Sequence, residues 1–414
     1  MIKSILSFLK KWNSSYTLAV LFLVYIFYMS LSGIPDLLAN TADGLRERVL
    51  PIGLIDRQYA GMLDTDSHNP LLHNKGTYIE INGTMARLLG QPMVNERHKL
   101  RNGYLTILSD RIYTDQELRV FADNIYQLWQ HQVSRGKHFL FVMAPTHLLE
   151  HENLLPAGFV DNRNHNANRL LAMLDEYGIP YLDIRAAMKQ TNRGCSDSFF
   201  ATDHHWTPQT AFWAYGLIME KLVQMNAIDP ISEDYTDPDR FVFQTYPDSF
   251  LGSAGKRTGR SYAGVDDFCL IYPKFETHIQ VSVPEEGIYA EGSYLEAAYS
   301  SNPQASCSHI DYFNSNPYGL YGWGDQGTTY WRNPSAPDAS TCMFIGDSFG
   351  NIPFSLMSLC FRSIDELDMR HYQGNFAQHH ADLSPDIVIM EISALINFEE
   401  QCDYPFFPDE TAPK

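Results

Sequence analysis

Two short stretches of the chain hold residue types that can do chemistry together. Thr202-Asp203-His204-His205-Trp206-Thr207-Pro208 sets an acid two positions before a histidine, with a second histidine between them. An acid and a histidine at a loop-to-helix junction are two members of a hydrolase triad, in which the acid orients the imidazole and the imidazole takes a proton from a nucleophile. The third member is offered downstream by Met343-Phe344-Ile345-Gly346-Asp347-Ser348-Phe349-Gly350, which reads as a buried strand running into a tight turn that carries a serine. At such a turn the hydroxyl is exposed, and the serine's own N–H lies near a helix N-terminus. There it can stabilise the oxyanion of an acyl-transfer intermediate. A serine hydroxyl is a poor nucleophile until a neighbouring base removes its proton. On residue types alone His204 and His205 both qualify as that base, although adjacent residues point in different directions and only one should face the serine. Each piece also has a plainer use: serine caps helices well, and an Asp-His pair can be a capped loop with a satisfied histidine.

Elements of the right kind surround both stretches. Thr207 suits an N-cap and Pro208 a first helical position, opening a helix to about Met225. Upstream, Thr114 to Glu117 forms a capping box, Leu118, Phe121, Ile125 and Leu128 follow at helical spacing, and Gly136 closes the helix. His138 to Ala144 is a nearly continuous apolar strand, as buried parallel strands are. A second helix is expected over Asn168 to Tyr177, ending at Gly178, and a short strand over Tyr181 to Ile184. The rhythm breaks from Asp229 to Ser340, a Gly-, Pro-, Asn- and Tyr-rich insertion with strand-like runs at Phe268–Tyr272 and His278–Val283. It resumes with a strand over Cys342 to Ile345 and a helix from about Asn351 to Arg362. An edge strand at Glu366–Met369 and a buried strand within Pro385 to Ile392 follow. Alternating helices and buried strands predict an α/β domain with a parallel sheet.

The 414-residue chain carries 49 acids against 30 Lys and Arg, a net charge of -19 that argues against nucleic-acid binding. After a basic segment (1–15) with Lys3, Lys10 and Lys11, the uncharged run Tyr16–Pro35 is long enough to cross a bilayer as a helix. The lysines orient its N-terminus inside and the main domain outside. An uncleaved anchor is favoured over a cleaved signal peptide, for which Ser30-Leu31-Ser32 would be the cleavage site. Residues 36–100 then read as a juxtamembrane connector, and 101–405 as the main domain, with the insertion at 229–340. The six cysteines form no C-x-x-C pair. Several, Cys342 and Cys360 particularly, read as buried thiols, with Cys269 and Cys307 as the conceivable disulfide if the domain is extracytoplasmic. The adjacent pairs His204-His205 and His379-His380 lack the i, i+4 spacing of helical metal ligands, so neither a metal nor a cofactor is expected.

Asp203-His204-His205-Trp206 followed by Gly346-Asp347-Ser348-Phe349 resembles the DHHW-motif proteins, relatives of the SGNH hydrolase superfamily, and the alginate O-acetyltransferases. The resemblance runs from about Arg101 to Phe398, with weaker support at Val142–Thr146, at Gly252-Ser253 to Arg257 and at Pro385–Ile392. It implies a three-layer α/β/α sandwich, Ser348 as nucleophile, His205 as base and Asp203 as the orienting acid, in the permuted order Asp, His, Ser. It further implies O-acetyl transfer to a cell-envelope or secreted polysaccharide, with acyl groups brought across the bilayer by a membrane-bound O-acyltransferase. A carbohydrate O-acetyl esterase would use the same triad. A catalytically silent scaffold is the third alternative, because the glycine and asparagine blocks that complete the oxyanion hole of ordinary SGNH enzymes are not found in the sequence. Lys256 and Arg257, with Arg260, lie in a Gly/Ser-rich loop that can hold an anionic sugar or an acyl donor. Tyr321 and Trp323, in a cluster with Tyr318, Tyr330 and Trp331, can stack on sugar faces or simply pack over the sheet end.

Overall fold

The computed structural model describes residues 75–232, 235–395, 398 and 402–407, together with 20, 23, 24 and 27. The predicted N-terminal tail, most of the anchor and the connector as far as residue 74 lie outside the described residues. Among the described residues no helix is long and apolar enough to cross a membrane. The chain divides into two compact units, Met1–Ile81 and Asn82–Lys414. The second unit carries both chemical motifs.

After the end of a helix over Lys75–Leu88, the first strands of this unit form a small antiparallel sheet, β1 (Met93–Val94), β2 (Arg97–Lys99) and β3 (Leu105–Thr106). Two of these strands fall inside the predicted connector. At two or three residues each, they are too short to leave a periodic signature in the sequence. Helix α1 (Asp115–Val133) starts from the expected reciprocal cap, Thr114 with Glu117, and buries Leu118, Phe121, Ile125 and Leu128. Strand β4 (His138–Ala144) follows, then α2 (Arg163–Tyr177), β5 (Tyr181–Asp183) and α3 (Pro208–Gln224). Helix α2 starts five residues earlier than predicted, because Asn162 caps it without a side-chain hydrogen bond and so leaves no start signal. Its end at Gly178, with φ of +69°, is as expected.

Eight strands form the main sheet, in the order β5-β4-β13-β11-β12-β10-β8-β9. β11 (Asp338–Ile345) is its centre. Parallel partners flank it: β13 (Ile387–Ser393) on one side and β12 (Phe361–Leu367) on the other. The sheet is mixed rather than wholly parallel. β8 (Ile279–Val283), β9 (Ile288–Gly292) and β10 (Thr328–Arg332) are antiparallel additions beyond β12. All three come from the region read as an insertion, where only β8 had a strand-like run. They make β12 an interior strand instead of the predicted edge. The remaining strands of that region, β6 (Phe241–Phe250) and β7 (Asp266–Pro273), form a separate antiparallel ribbon.

Side chains alternate across the sheet into two cores, as the period of two demands. Leu140, Val142, Phe344 and Ile389 join Trp206, Ala211 and Tyr215 on one face. Phe139, Phe141, Met343 and Val388 join Leu118, Ile125, Leu170 and Leu174 on the other. Helices thus cover both faces, α3 one and α1 with α2 the other. All six cysteines are buried, and Cys269 and Cys307 are not bridged.

Candidate active site

The parallel strands β4, β13, β11 and β12 end on the same edge of the sheet, the edge at which open α/β folds bind ligands. Just past the end of β11 the chain turns through Gly346-Asp347-Ser348 into a short helix, α4 (Asn351–Met357). That helix is five residues shorter than predicted, since the apolar run after it belongs to β12. Asp347 fastens the turn: one carboxylate oxygen accepts from Phe349 N–H and the other from Ser393 N–H at the end of β13, each at 2.8 Å. Burial, the largest influence on it, raises the pKa of Asp347. Ser348 is 6% exposed, open enough to be reached but held in place.

The other motif lies on a loop that is stapled at its ends. Thr207 N–H donates to Ser198 O at 2.9 Å, and Phe199 and Trp206 form an isolated β-bridge. Inside the loop, Asp266 accepts from Ala201 N–H, Thr202 N–H and Thr202 Oγ at 2.9, 2.8 and 2.6 Å. Trp206 is fully buried, with its ring edge-on to Phe349 at 5.4 Å, so the residue after one motif's histidine packs against the residue after the other's serine.

The two motifs meet. Ser348 Oγ–H donates to His205 Nε2 at 2.7 Å, and His205 Nδ1–H donates to Asp203 Oδ1 at 2.6 Å. Asp203 is buried and accepts two further N–H bonds, from His205 at 3.0 Å and, on Oδ2, from Ser253 at 2.5 Å. Burial alone would push the Asp203 carboxyl up. The electrostatic influence of the adjacent His204 and His205, with the hydrogen bonds from His205 and Ser253, outweighs it and holds the group well below the usual carboxylate range. An ionised Asp203 fixes the His205 tautomer with the proton on Nδ1, which leaves Nε2 free to accept the serine's proton. The Ser348 N–H makes no hydrogen bond among the described residues, so it is available to an oxyanion.

His204 does not face the serine. Its Nδ1 hydrogen-bonds with Ser253 Oγ at 3.1 Å, and its ring lies 3.9 Å from that of His205. Burial first, and the neighbouring His205 charge second, push its pKa down to about 3, so it is neutral. Tyr318 stacks on the outer face of His205 at 4.0 Å and donates its O–H to Ser348 O at 3.1 Å. Of the predicted sugar-stacking rings, Tyr321 is fully buried; its hydroxyl donates to Cys269 O and accepts from Ile271 N–H. It therefore packs the core and offers no face to a ligand. Trp323 is half-buried and donates its indole N–H to Ala297 O at 2.9 Å.

Sequence reasoning left two parts of this site unassigned. Gly252 and Ser253 gave weak support to the resemblance, yet they form the wall behind Asp203. Tyr318 was one ring among five. Among the described residues, two groups of acid and histidine atoms come within 4.8 Å of one another, Asp203-His204-His205 and Asp325-Asp368-His371. In the first, Asp203 and His205 are committed to each other. In the second, Arg370 Nε donates to both oxygens of Asp368.

Residues 113–246 match the model of a family described as the SGNH hydrolase-like domain of the acetyltransferase AlgX. Over that stretch the chain is similar to an SGNH hydrolase-like domain. The matched stretch holds Asp203 and His205 but ends before Ser348, so the serine's place beside them comes from the tertiary structure. PatB1 of Bacillus cereus, solved with a sulfonyl adduct, is 19% identical, with a TM-score of 0.60 over 73% of this chain and 96% of its own. A DHHW family protein from Eubacterium siraeum is 16% identical, with a TM-score of 0.55 over 75% of this chain and 96% of its own. Both share the fold. No curated protein sequence matches the chain.

The buried histidines of the domain make its stability pH-dependent. His147, after β4, is buried with Nε2 hydrogen-bonded to Phe200 O at 3.0 Å, and burial pushes its pKa down to about 4. Between its ordinary value near 6.5 and about 4, the unfolded chain binds more protons than the folded one. Stability is therefore complete above pH 6.5, falls as pH drops, and has lost its full His147 contribution below about 4. That loss is about 3 kcal/mol for this group alone. Melting temperatures measured from pH 7.5 to 4.5 should fall more steeply for the wild type than for His147→Gln, whose amide can reach Phe200 O without titrating. Equal slopes would remove His147 as a cause.

Proposed function

We propose that this protein is a serine O-acyltransferase that moves an acetyl group onto a polysaccharide outside the cytoplasm. The observation that carries the reading is the continuous hydrogen-bonded chain from Ser348 Oγ through His205 to Asp203, at 2.7 and 2.6 Å. His205 takes the serine proton as Oγ attacks the acyl carbonyl. The imidazolium is stabilised by Asp203, and the oxyanion is met by the Ser348 N–H. The leaving group departs with the proton from His205, and a sugar hydroxyl then attacks the acyl-enzyme, with His205 as base again. The family match to an acetyltransferase domain supports transfer over hydrolysis. The glycan acceptor, an acyl donor supplied through a membrane-bound O-acyltransferase, and the placing of the domain outside the membrane by Tyr16–Pro35 are parts of the same proposal. The apolar run and the lysines before it support the last of these. Neither step needs a cofactor.

The test is to incubate the full chain with p-nitrophenyl acetate and weigh it. The expected result is an acetyl adduct on Ser348 that is absent in Ser348→Ala and in His205→Ala. A folded wild-type chain with no adduct would count against any enzymatic role. An adduct that water clears equally fast with and without an oligosaccharide acceptor would make the protein an esterase.

A further inference from the structure

The basic residues beside the triad are unequally satisfied. Lys256 is engaged, its Nζ donating to Ser315 O at 2.7 Å. Arg257 stands one turn beyond Ser253 on the short helix Ser253–Thr258. Residues four apart share a helix face, so Arg257 looks the same way as the serine that holds both Asp203 and His204. Arg97 reaches the same place from β2. The turn before it, Asn95-Glu96, has φ of 46° and 61°, and it is docked on that helix by Asn95 Nδ2–H donating to Arg257 O at 2.7 Å.

Arg97 is only 8% exposed, yet its side chain makes no hydrogen bond or ion pair among the described residues. Burial first, and the Arg257 charge second, lower its pKa, and its own charge reaches His204. Glu96, the acid that acts on it, is exposed and does not pair with it. The guanidinium nitrogens of Arg97 are not among the sealed polar atoms that lack a partner, so the donors stay within reach of a group from outside. Arg97 feels the charge of Arg257, and neither is in an ion pair with a carboxylate among the described residues, in a chain whose net charge is -19. Such a chain has acids to spare for pairing, so the vacancy marks a place for an outside anion.

We propose that Arg97 and Arg257 form an anion-binding site beside the triad, which takes a carboxylate or phosphate group borne by the saccharide substrate. The saccharide part rests on the function proposed above; the anion site does not. The guanidinium of Arg97 offers a rigid fork of donors that matches either oxyanion. A group held there would lie beside the Ser253 that contacts Asp203 and His204, and so select acidic acceptors.

The experiment is calorimetric titration of the full chain with three probes and no acyl donor: tetragalacturonate, a glycerol phosphate tetramer and cellotetraose. At least one acidic probe should bind about tenfold or more tightly than cellotetraose, and added salt should weaken only the acidic binding. Arg97→Gln and Arg257→Gln should each weaken it by about tenfold or more, the scale of a charge-assisted hydrogen bond. Arg97→Lys should recover only part of it. Arg119→Gln, which alters an exposed pair with Glu176 on α1 and α2, should leave it unchanged. Preference for one acidic probe would tell carboxylate from phosphate. Equal binding of all three probes, or no binding of either acidic one, would overturn the proposal. So would unchanged affinity in the exposed Arg257→Gln variant and in a folded Arg97 variant. A chain that binds the acidic probe but never acylates Ser348 would sink the enzymatic reading and leave the anion site standing.

Discussion

Asp203→Asn should slow acylation of Ser348 by roughly four orders of magnitude while leaving the chain folded. The carboxylate has two oxygens and three N–H partners: the His205 ring and backbone on Oδ1 and the Ser253 backbone on Oδ2. An amide has one accepting oxygen. If that oxygen faces His205, the amide NH2 meets the Ser253 N–H, donor against donor. If it faces Ser253, the NH2 meets His205 Nδ1 and favours the tautomer with the proton on Nε2, which cannot take the serine's proton. Either way the imidazolium loses the negative charge that stabilises it. The rate of acetyl-adduct growth on Ser348 measures this directly. A loss below about tenfold would mean that Asp203 only shapes the loop.

Gly252→Ala should also damage the site, by a different route and to a smaller extent. A Cβ at this position would lie 2.2 Å from Asp203 Cβ and 2.6 Å from Thr202 O, and neither is the end of a flexible side chain. The backbone at Gly252 has φ of -71°, which any residue adopts, so the requirement is for space and not for conformation. The added methyl must push the Ser253 helix away from the Asp203 loop. That strains the Ser253 N–H bond to Asp203 and the Gly252 N–H bond to Thr202 Oγ at 2.8 Å. Overpacking of this kind costs about 1–3 kcal/mol in stability. A 1 Å displacement of a catalytic group costs about 100-fold in rate. Thermal melting and acetyl-adduct kinetics on the same sample should show both losses. An unaltered rate would mean that the wall behind Asp203 yields freely and does not position it.

Much of the local structure was legible because it depends on neighbours in the chain. The reciprocal cap at Thr114 and Glu117, the Thr207-Pro208 start of α3 and the apolar run of β4 all stand where they were read. Where the local signal failed, the reason is physical. Asn162 makes no capping bond that a sequence pattern could reveal. The apolar run Leu356–Phe361 is compatible with helix or strand until packing chooses. The mixed sheet was hidden because β8, β9 and β10 owe their places to pairing with distant strands, and nothing in their own sequences states a partner.

By itself the sequence determined the cast: an acid, two histidines and a serine on motifs bordered by α/β elements, with a basic loop and an aromatic loop nearby. Tertiary structure alone decided the parts they take. The serine lies 143 residues from its base, and only the register of β11 beside β13 and β12 closes that gap. Which of two adjacent histidines faces Ser348 depends on the path of a loop held by Asp266 and by the Phe199–Trp206 bridge. The same holds for Gly252 behind Asp203, for Tyr318 over His205 and for Arg97 beside Arg257. Each is a contact between segments far apart in the chain, and such contacts leave no period, cap or spacing in the residues that make them.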